Sequence, residues 1–139
     1  MKLYHLSSEK TKVKRLSPRV PSNYFTKNGY EDNKTERVCF SNSINGALMA
    51  LSRNLKNEIL YVYIPLNIDK KIIRNNQFVS RRVPDAKITG EVWVLEPVNC
   101  ICIGSIQVIK DKGNEGIKFR FGNNEAELYE WDWKWKEKY

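Results

Sequence analysis

The sequence is poor in the residues that build metal centres and disulfide frameworks. It has one histidine and three cysteines in 139 residues. An odd number of cysteines without a secretory signal argues against a disulfide framework. A zinc site needs four donors at suitable spacings, and Cys100 and Cys102 alternate along one face of a predicted strand as small apolar residues. We therefore predict no metal site and no disulfide scaffold.

The sequence also lacks long apolar runs. The longest, residues 59–66, has the length of a strand rather than of a membrane span. The opening residues 1–5 contain no apolar signal region and no small-residue cleavage site. We expect no membrane contact and a cytoplasmic location. The glycine-rich phosphate loops and the nucleophile-elbow motif are absent as well.

The chain has the length of a single domain and a strongly positive net charge. A length of 139 residues predicts a single domain over residues 1–139 with a hydrophobic core of its own. The net charge of +8 attracts anions, including nucleotides and nucleic acids. Basic residues are densest near the N-terminus and again near residues 70–82.

The hydrophobic pattern predicts an α+β fold with an antiparallel or mixed sheet and one principal helix. Ile44, Ala47, Leu48, Leu51 and Leu55 have helical spacing and follow two candidate caps, Ser41 and Ser43. Strands are predicted at residues 3–6, 37–41, 59–65, 78–83, 90–96, 99–110 and 117–121. The segment 59–65, apolar on both faces, is expected to be central, and a short helical turn is expected within 68–75.

A long segment between the first two strands, residues 7–34, is predicted to be irregular because it is rich in turn-forming residues. Loops of this length in small domains are more often functional than decorative. Arg19 lies within it, and an arginine fork suits a pyrophosphate. The alternative is a solvated basic loop.

Three polar residues near strand ends are candidates for chemistry. His5 donates and accepts hydrogen bonds at neutral pH, which suits ribose hydroxyls. Ser41 ends a strand, where it either lines a site or caps the helix. Glu91 begins an apolar strand, where it either stabilises positive charge in a transition state or is a solvated edge charge.

The order of these residues resembles the ADP-ribosyltransferase superfamily. In that superfamily three central strands supply in turn a His or Arg, a Tyr or Ser, and often a Glu. Here Tyr4-His5, Phe40-Ser41 and Glu91 follow that order, and residues 3–7 are similar to the Tyr-His opening of many such domains. The resemblance covers residues 2–98. It implies a mixed, mainly antiparallel split sheet. It also implies that NAD is the substrate, with Glu91, His5 and Ser41 catalytic.

The resemblance also implies a role for each matching residue. His5 would bond a ribose of NAD, with Tyr4 beside it. Ser41 or Phe40 would line the nicotinamide pocket, and which of the two takes the second role is open. Glu91 would assist loss of nicotinamide. The sequence departs from the family at Leu6, where many relatives have glycine, and at Thr89, where arginine-modifying members have a Glu or Gln; arginine modification is therefore not expected.

The C-terminal tail alternates aromatic and charged residues. As one strand, residues 129–136 would place Tyr129, Trp131, Trp133 and Trp135 on a single face. That face would either close the core or form a stacking platform for bases. A non-enzymatic nucleotide- or nucleic-acid-binding module is thus the second hypothesis. A small protein that blocks or sequesters a partner is the third.

Overall fold

The computed structural model describes residues 2–51, 58–110, 116–121, 124–129 and 134–137, and from residue 109 onward it describes the backbone alone. The strands are β1 (His5–Ser7), β2 (Val13–Leu16), β3 (Val38–Ser41), β4 (Glu58–Pro65), β5 (Ile73–Arg74), β6 (Glu91–Val94), β7 (Val98–Lys110), β8 (Gly116–Phe121), β9 (Asn124–Tyr129) and β10 (Lys134–Glu137). The helices are α1 (Tyr24–Lys27), α2 (Ile44–Leu51), α3 (Asn76–Val79) and α4 (Ala86–Thr89), with a 3₁₀ turn at Lys70–Ile72.

The described strands form two antiparallel sheets. The larger has the order β1-β4-β7-β8-β9-β10, and β2 also pairs with β7; the smaller has the order β3-β6-β5. Every strand pair described is antiparallel. The predicted α+β class is confirmed, with antiparallel sheets and few helices. The prediction also allowed a mixed sheet, but no parallel pair appears among the described strands.

Strand β4 lies between β1 and β7, as its two apolar faces predict. Leu60 and Val62 pack on one face with the buried residues of α2. Tyr63 packs on the other face in a cluster that includes Phe40 and Val92 of the smaller sheet. The core therefore extends over both faces of β4 and joins the two sheets.

Helix α2 begins as its sequence predicts, and Ser43 is its cap. The Ser43 hydroxyl accepts a hydrogen bond of 3.0 Å from the Gly46 N–H. Leu48 is fully buried, with Ala47 and Met49 beside it in the core. The described helix ends at Leu51, and the predicted extension to Leu55 lies outside the described residues.

Two of the segment predictions are wrong. Residues 78–83 do not form a strand, because the Asn75 side chain accepts a hydrogen bond from the Phe78 N–H and starts the short helix α3. Residues 7–34 are not wholly irregular, since they contain β2 and α1. Strand β2 is hard to recognise because Lys14 and Arg15 interrupt its apolar pattern.

The C-terminal tail does not form the single strand predicted for residues 129–136. Tyr129 ends β9 and is the register partner of Lys134, the first residue of β10. The two ends of the predicted strand therefore belong to neighbouring antiparallel strands. The predicted aromatic face depends on that single strand and is therefore not supported; Trp131 and Trp133 themselves lie outside the described residues.

Cys100 and Cys102 occupy β7 as predicted. Both pack against the same hydrophobic cluster, Cys100 fully buried and Cys102 partly so. Both thiols are free. They are small apolar residues on one face of a sheet.

No helix in the described parts of the chain is long and apolar enough to cross a membrane.

Candidate functional site

The two sheets separate next to His5 and leave a cavity. Backbone hydrogen bonds join Tyr4 and Ser41 at 2.8 and 2.9 Å. After this bridge β1 pairs with β4 instead of β3, so the sheets diverge. The cavity at the divergence has a volume of about 150 Å³ and is lined by Tyr4, His5, Leu6, Cys39, Phe40, Ser41, Ala47, Ala50, Leu51, Thr89 and Glu91.

Three predicted site residues, His5, Ser41 and Glu91, meet at this cavity from three different strands. Ser41 and Glu91 are direct cross-strand partners on β3 and β6. The turn at Gly90 positions Glu91 at the cavity. Gly90 has a left-handed φ of 67°, and a Cβ atom at this residue would lie 2.1 Å from the Asn42 side chain. Glycine alone fits that turn without strain, so the start of β6 is fixed by local geometry.

The His5 ring contacts the backbone of β3 at the point where β1 and β3 diverge. Its Nδ1 lies 3.3 Å from the Cys39 carbonyl oxygen. A carbonyl only accepts hydrogen bonds, so this contact assigns the ring proton to Nδ1 and leaves Nε2 as an acceptor. Burial lowers the pKa of His5, and the cations of Lys14 and Arg19 lower it further, against the opposing effect of the Cys39 bond. The ring is therefore neutral at pH 7.

The Ser41 hydroxyl is committed as a donor. It donates a 2.6 Å hydrogen bond to the Thr89 carbonyl, and it accepts a longer one, 3.3 Å, from the Ser43 N–H. It does not cap α2, which corrects the helix-cap alternative for this residue. Because its proton is used, Ser41 offers a ligand a hydrogen-bond acceptor and not a donor.

Gly46 explains how α2 can approach this serine so closely. A Cβ atom at Gly46 would lie 1.8 Å from the Thr89 carbonyl oxygen and 2.5 Å from the Ser41 Oγ. Such distances are far inside van der Waals contact, and the nearer atom is backbone. The absence of a side chain at Gly46 is thus what lets α2, β3 and α4 share one wall of the cavity.

We expect Gly46→Ala to destabilise the fold by about 2–3 kcal/mol, since the steric clash outweighs alanine's helix propensity of about 1 kcal/mol. Urea unfolding followed by circular dichroism measures it. Asn45→Ala, the preceding helix position, is the control and should retain the wild-type midpoint. A Gly46→Ala variant as stable as the wild type would show that α2 moves away freely.

Glu91 is largely buried and is held by the indole of Trp93. The Trp93 Nε1 donates to Glu91 Oε2 over 3.3 Å. Burial raises the pKa of the Glu91 carboxyl, and the nearby Glu31 and Asp85 carboxylates raise it further, whereas the Trp93 bond and Arg37 oppose the rise. The carboxyl therefore binds its proton more tightly than a solvated glutamate does.

Arg37 lies buried behind the site, and no sequence signal marked it. Its side chain is 1% exposed and lies 3.9 Å from a Glu31 oxygen and 3.8 Å from an Asp32 oxygen. The guanidinium stacks 4.3 Å from the centre of the Trp93 ring. Its Nη1 donates to the backbone carbonyls of Asp32 and Thr35, while Nε has no partner among the described residues.

Two further predicted residues take different places. Phe40 is buried and lines the cavity, with its ring edge-to-face against His5 at 6.0 Å between centroids. Arg19 does not line the cavity; its backbone pairs with that of Arg37 in an antiparallel bridge. Its charge nevertheless acts on His5, as does that of Lys14.

The charges that act on the cavity residues differ between His5 and Glu91. The cations of Lys14 and Arg19 act on His5, whereas the carboxylates of Glu31 and Asp85 act on Glu91 together with the cation of Arg37. Cys39 also lines the cavity. Its thiol is unreactive because burial raises its pKa to about 12. Among the described residues, no group of three or more histidine, cysteine or acidic side chains is arranged to hold a metal ion.

Comparisons of the chain with family models, with curated proteins and with solved structures gave no match.

Proposed function

We propose that the chain is an ADP-ribosyltransferase-like protein that binds NAD and cleaves it between ribose and nicotinamide. The observation that supports this most is the convergence of His5, Ser41 and Glu91 on one cavity from three separate strands. A strand-end histidine, serine or glutamate is common by itself. Three of them around one opening, in the order of the superfamily they resemble, are much less so.

The size and lining of the cavity suit a nicotinamide ring. About 150 Å³ is the space that one six-membered aromatic ring fills. Phe40, Leu6 and Leu51 supply apolar contacts, and Ser41 Oγ supplies an acceptor for the carboxamide N–H. The remainder of the dinucleotide would lie outside, along the rim.

The charges near the cavity suit the two ends of NAD. The nicotinamide ring of NAD is cationic and its pyrophosphate is anionic. The Glu91 carboxyl in the cavity lining favours the first, and the cations of Lys14 and Arg19, which act on His5 from outside the lining, favour the second. His5 Nε2, as an acceptor, fits a ribose hydroxyl between them.

Glu91 has the main chemical role in this proposal. As the bond from ribose C1′ to the nicotinamide nitrogen breaks, its electrons go to the ring and positive charge develops on the ribose. A carboxylate beside the ribose stabilises that charge. A nucleophile of the acceptor, or water, then bonds to C1′ and loses its proton to solvent. No acceptor is assigned.

NAD should raise the melting temperature of the wild-type protein, because ligand at ten times its dissociation constant stabilises the fold by about 1.4 kcal/mol. Ala50→Trp should abolish this shift by placing a ring at an exposed position that lines the cavity. Differential scanning fluorimetry with 1 mM NAD, on the order of ten times an assumed dissociation constant, measures both.

The control for this test is Lys87→Trp, which adds the same ring at an exposed site on α4 that does not line the cavity. It should retain the full shift. NAD binding without nicotinamide release would identify a non-enzymatic nucleotide-binding module. No shift with NAD, ADP-ribose or nicotinamide would overturn the proposal.

A further inference from the structure

Trp93 occupies the position behind Glu91 on the same face of β6. It is fully buried, two residues along the strand, and its cross-strand partner is Cys39. Its indole contacts two charged groups: the Glu91 carboxyl group on the N–H, at 3.3 Å, and the Arg37 guanidinium against the ring, at 4.3 Å. Glutamate, tryptophan and arginine thus form a continuous row that leads from the cavity into the core.

We propose that Trp93, held in place by the stacked Arg37 guanidinium, is a positioning residue that fixes the carboxylate of Glu91 against the cavity. The inference deepens the function proposed above and depends on it for its catalytic meaning. Trp93 and Glu91 lie on the same strand, β6. The Trp93 indole donates to one carboxylate oxygen, Oε2, and this bond sets the orientation of the carboxylate. The second oxygen stays outside this bond.

Packing in the core would not by itself require the Trp93 indole to contact a carboxylate. A buried indole N–H requires an acceptor, and here the acceptor is a carboxylate that lines the cavity. A hydrogen bond to an ionised group is about twice as strong as a neutral one, so the contact favours the charged form of Glu91. The ring in turn is fixed by Arg37 on its face and by an edge-to-face contact with Phe78.

The charged groups that face Glu91 are on several elements. Arg37 directly precedes β3, Glu31 lies in the segment before it, and Asp85 directly precedes α4; the neutral Cys39 thiol on β3 is a further titratable neighbour. Burial and the two carboxylates favour the protonated form, whereas Arg37 and the indole favour the charged form. The Trp93 bond is therefore one of two contacts that lower the pKa of Glu91 and favour its ionised form, against the net rise caused by burial.

Trp93→Phe tests the inference, since it keeps a buried aromatic ring and removes the N–H. We expect the pKa of Glu91, measured by carbon NMR of the free protein, to rise. With NAD as substrate, kcat at pH 7 should fall about tenfold with KM little changed, the loss expected for one charge-assisted bond. The acid limb of the pH profile should move to higher pH.

Tyr63→Phe is the matched control. It also keeps a fully buried aromatic ring and removes its polar contacts, chiefly the 2.7 Å bond to the Glu9 carbonyl and the 2.9 Å bond from the Thr11 N–H, but Tyr63 does not line the cavity. It should leave the pKa of Glu91 unchanged. An unchanged pKa in Trp93→Phe as well would overturn the inference, as would an equal rise in both variants.

A measurement on the wild type covers the case in which Trp93→Phe does not fold. The indole N–H signal of Trp93, one of four tryptophans in the chain, should titrate with the pKa of Glu91. In Glu91→Gln this titration should vanish. An indole signal that does not follow Glu91 would refute the positioning role.

The two proposals fail in different ways. The NMR titrations need no ligand, so they test the Trp93 contact even if NAD does not bind. If the wild type releases nicotinamide but the titrations show no coupling, the function stands and the positioning role is wrong. If the coupling is present but NAD has no effect, Trp93 holds Glu91 for another purpose and the proposed function fails.

Discussion

Glu91→Gln should lower the rate of nicotinamide release from NAD by about 100- to 1,000-fold, the usual loss when one preorganised electrostatic group is removed from a transition state. Glutamine has almost the same shape and still accepts from the Trp93 indole. The cavity should therefore stay intact and NAD affinity should change by less than about threefold, because only the developing charge depends on the carboxylate. Single-turnover kinetics and calorimetric titration separate the two effects.

The control is Glu96→Gln, an exposed glutamate just beyond the end of the same strand. It changes the net charge by the same amount and should retain the wild-type rate. If Glu91→Gln retained that rate as well, Glu91 would be excluded as the stabilising carboxylate. A loss of rate that matched an equal loss of affinity would show that Glu91 binds NAD without acting on the transition state.

The same variant has a second readout in stability. Burial raises the pKa of Glu91 above its ordinary value of 4.5, so the folded state favours the protonated form. The wild type consequently loses stability as the pH rises from about 4.5 through the raised pKa, because the unfolded chain ionises more readily. Glutamine does not ionise, so Glu91→Gln does not lose stability in this way. It should become more stable than the wild type above that range, which urea unfolding at several pH values would reveal.

The parts of the fold that could be predicted from the sequence are those with strong periodicity. Helix α2 and strand β4 owe their positions to apolar residues at regular spacing, and the structure places both as predicted. Strand β2 and helix α3 could not be found in this way. Strand β2 is held by its register with β7, and α3 starts at an asparagine cap that overrides the β-forming residues after it.

The residues of the candidate site could likewise be predicted only in part. His5, Ser41 and Glu91 could be proposed because each lies near an end of a predicted strand and the three follow the order of the superfamily they resemble. Their meeting at one cavity depends on the divergence of β1 from β3, which is a tertiary feature. Arg37 had no local signal, since a basic residue at the start of a strand is ordinarily solvated. Only the fold shows that the chain buries it against Trp93.

Arg37→Met should have the largest effect on stability, a loss of about 3–5 kcal/mol, the usual result of removing one partner from a buried ionic group. Methionine fills much of the same space, so lost volume is a small part of the effect. The Asp32 and Thr35 carbonyls lose their donor, and the Glu31 and Glu91 carboxylates lose the cation that offsets their burial. Urea unfolding at pH 7 measures the loss.

The exposed arginine Arg81 provides the control, and Arg81→Met should change stability by less than about 0.5 kcal/mol. The pH dependence separates charge from packing. Without Arg37 the carboxylates have still higher pKa values when folded, so the deficit should be greatest at neutral pH and shrink as the pH falls and they take up protons. Arg37→Met/Glu31→Gln should recover part of the loss at pH 7. A deficit that stays constant with pH, with no recovery in the double variant, would mean that Arg37 stabilises the site by packing and backbone hydrogen bonds alone. The ionised form of Glu91 would then be favoured by the Trp93 bond without help from the cation behind it.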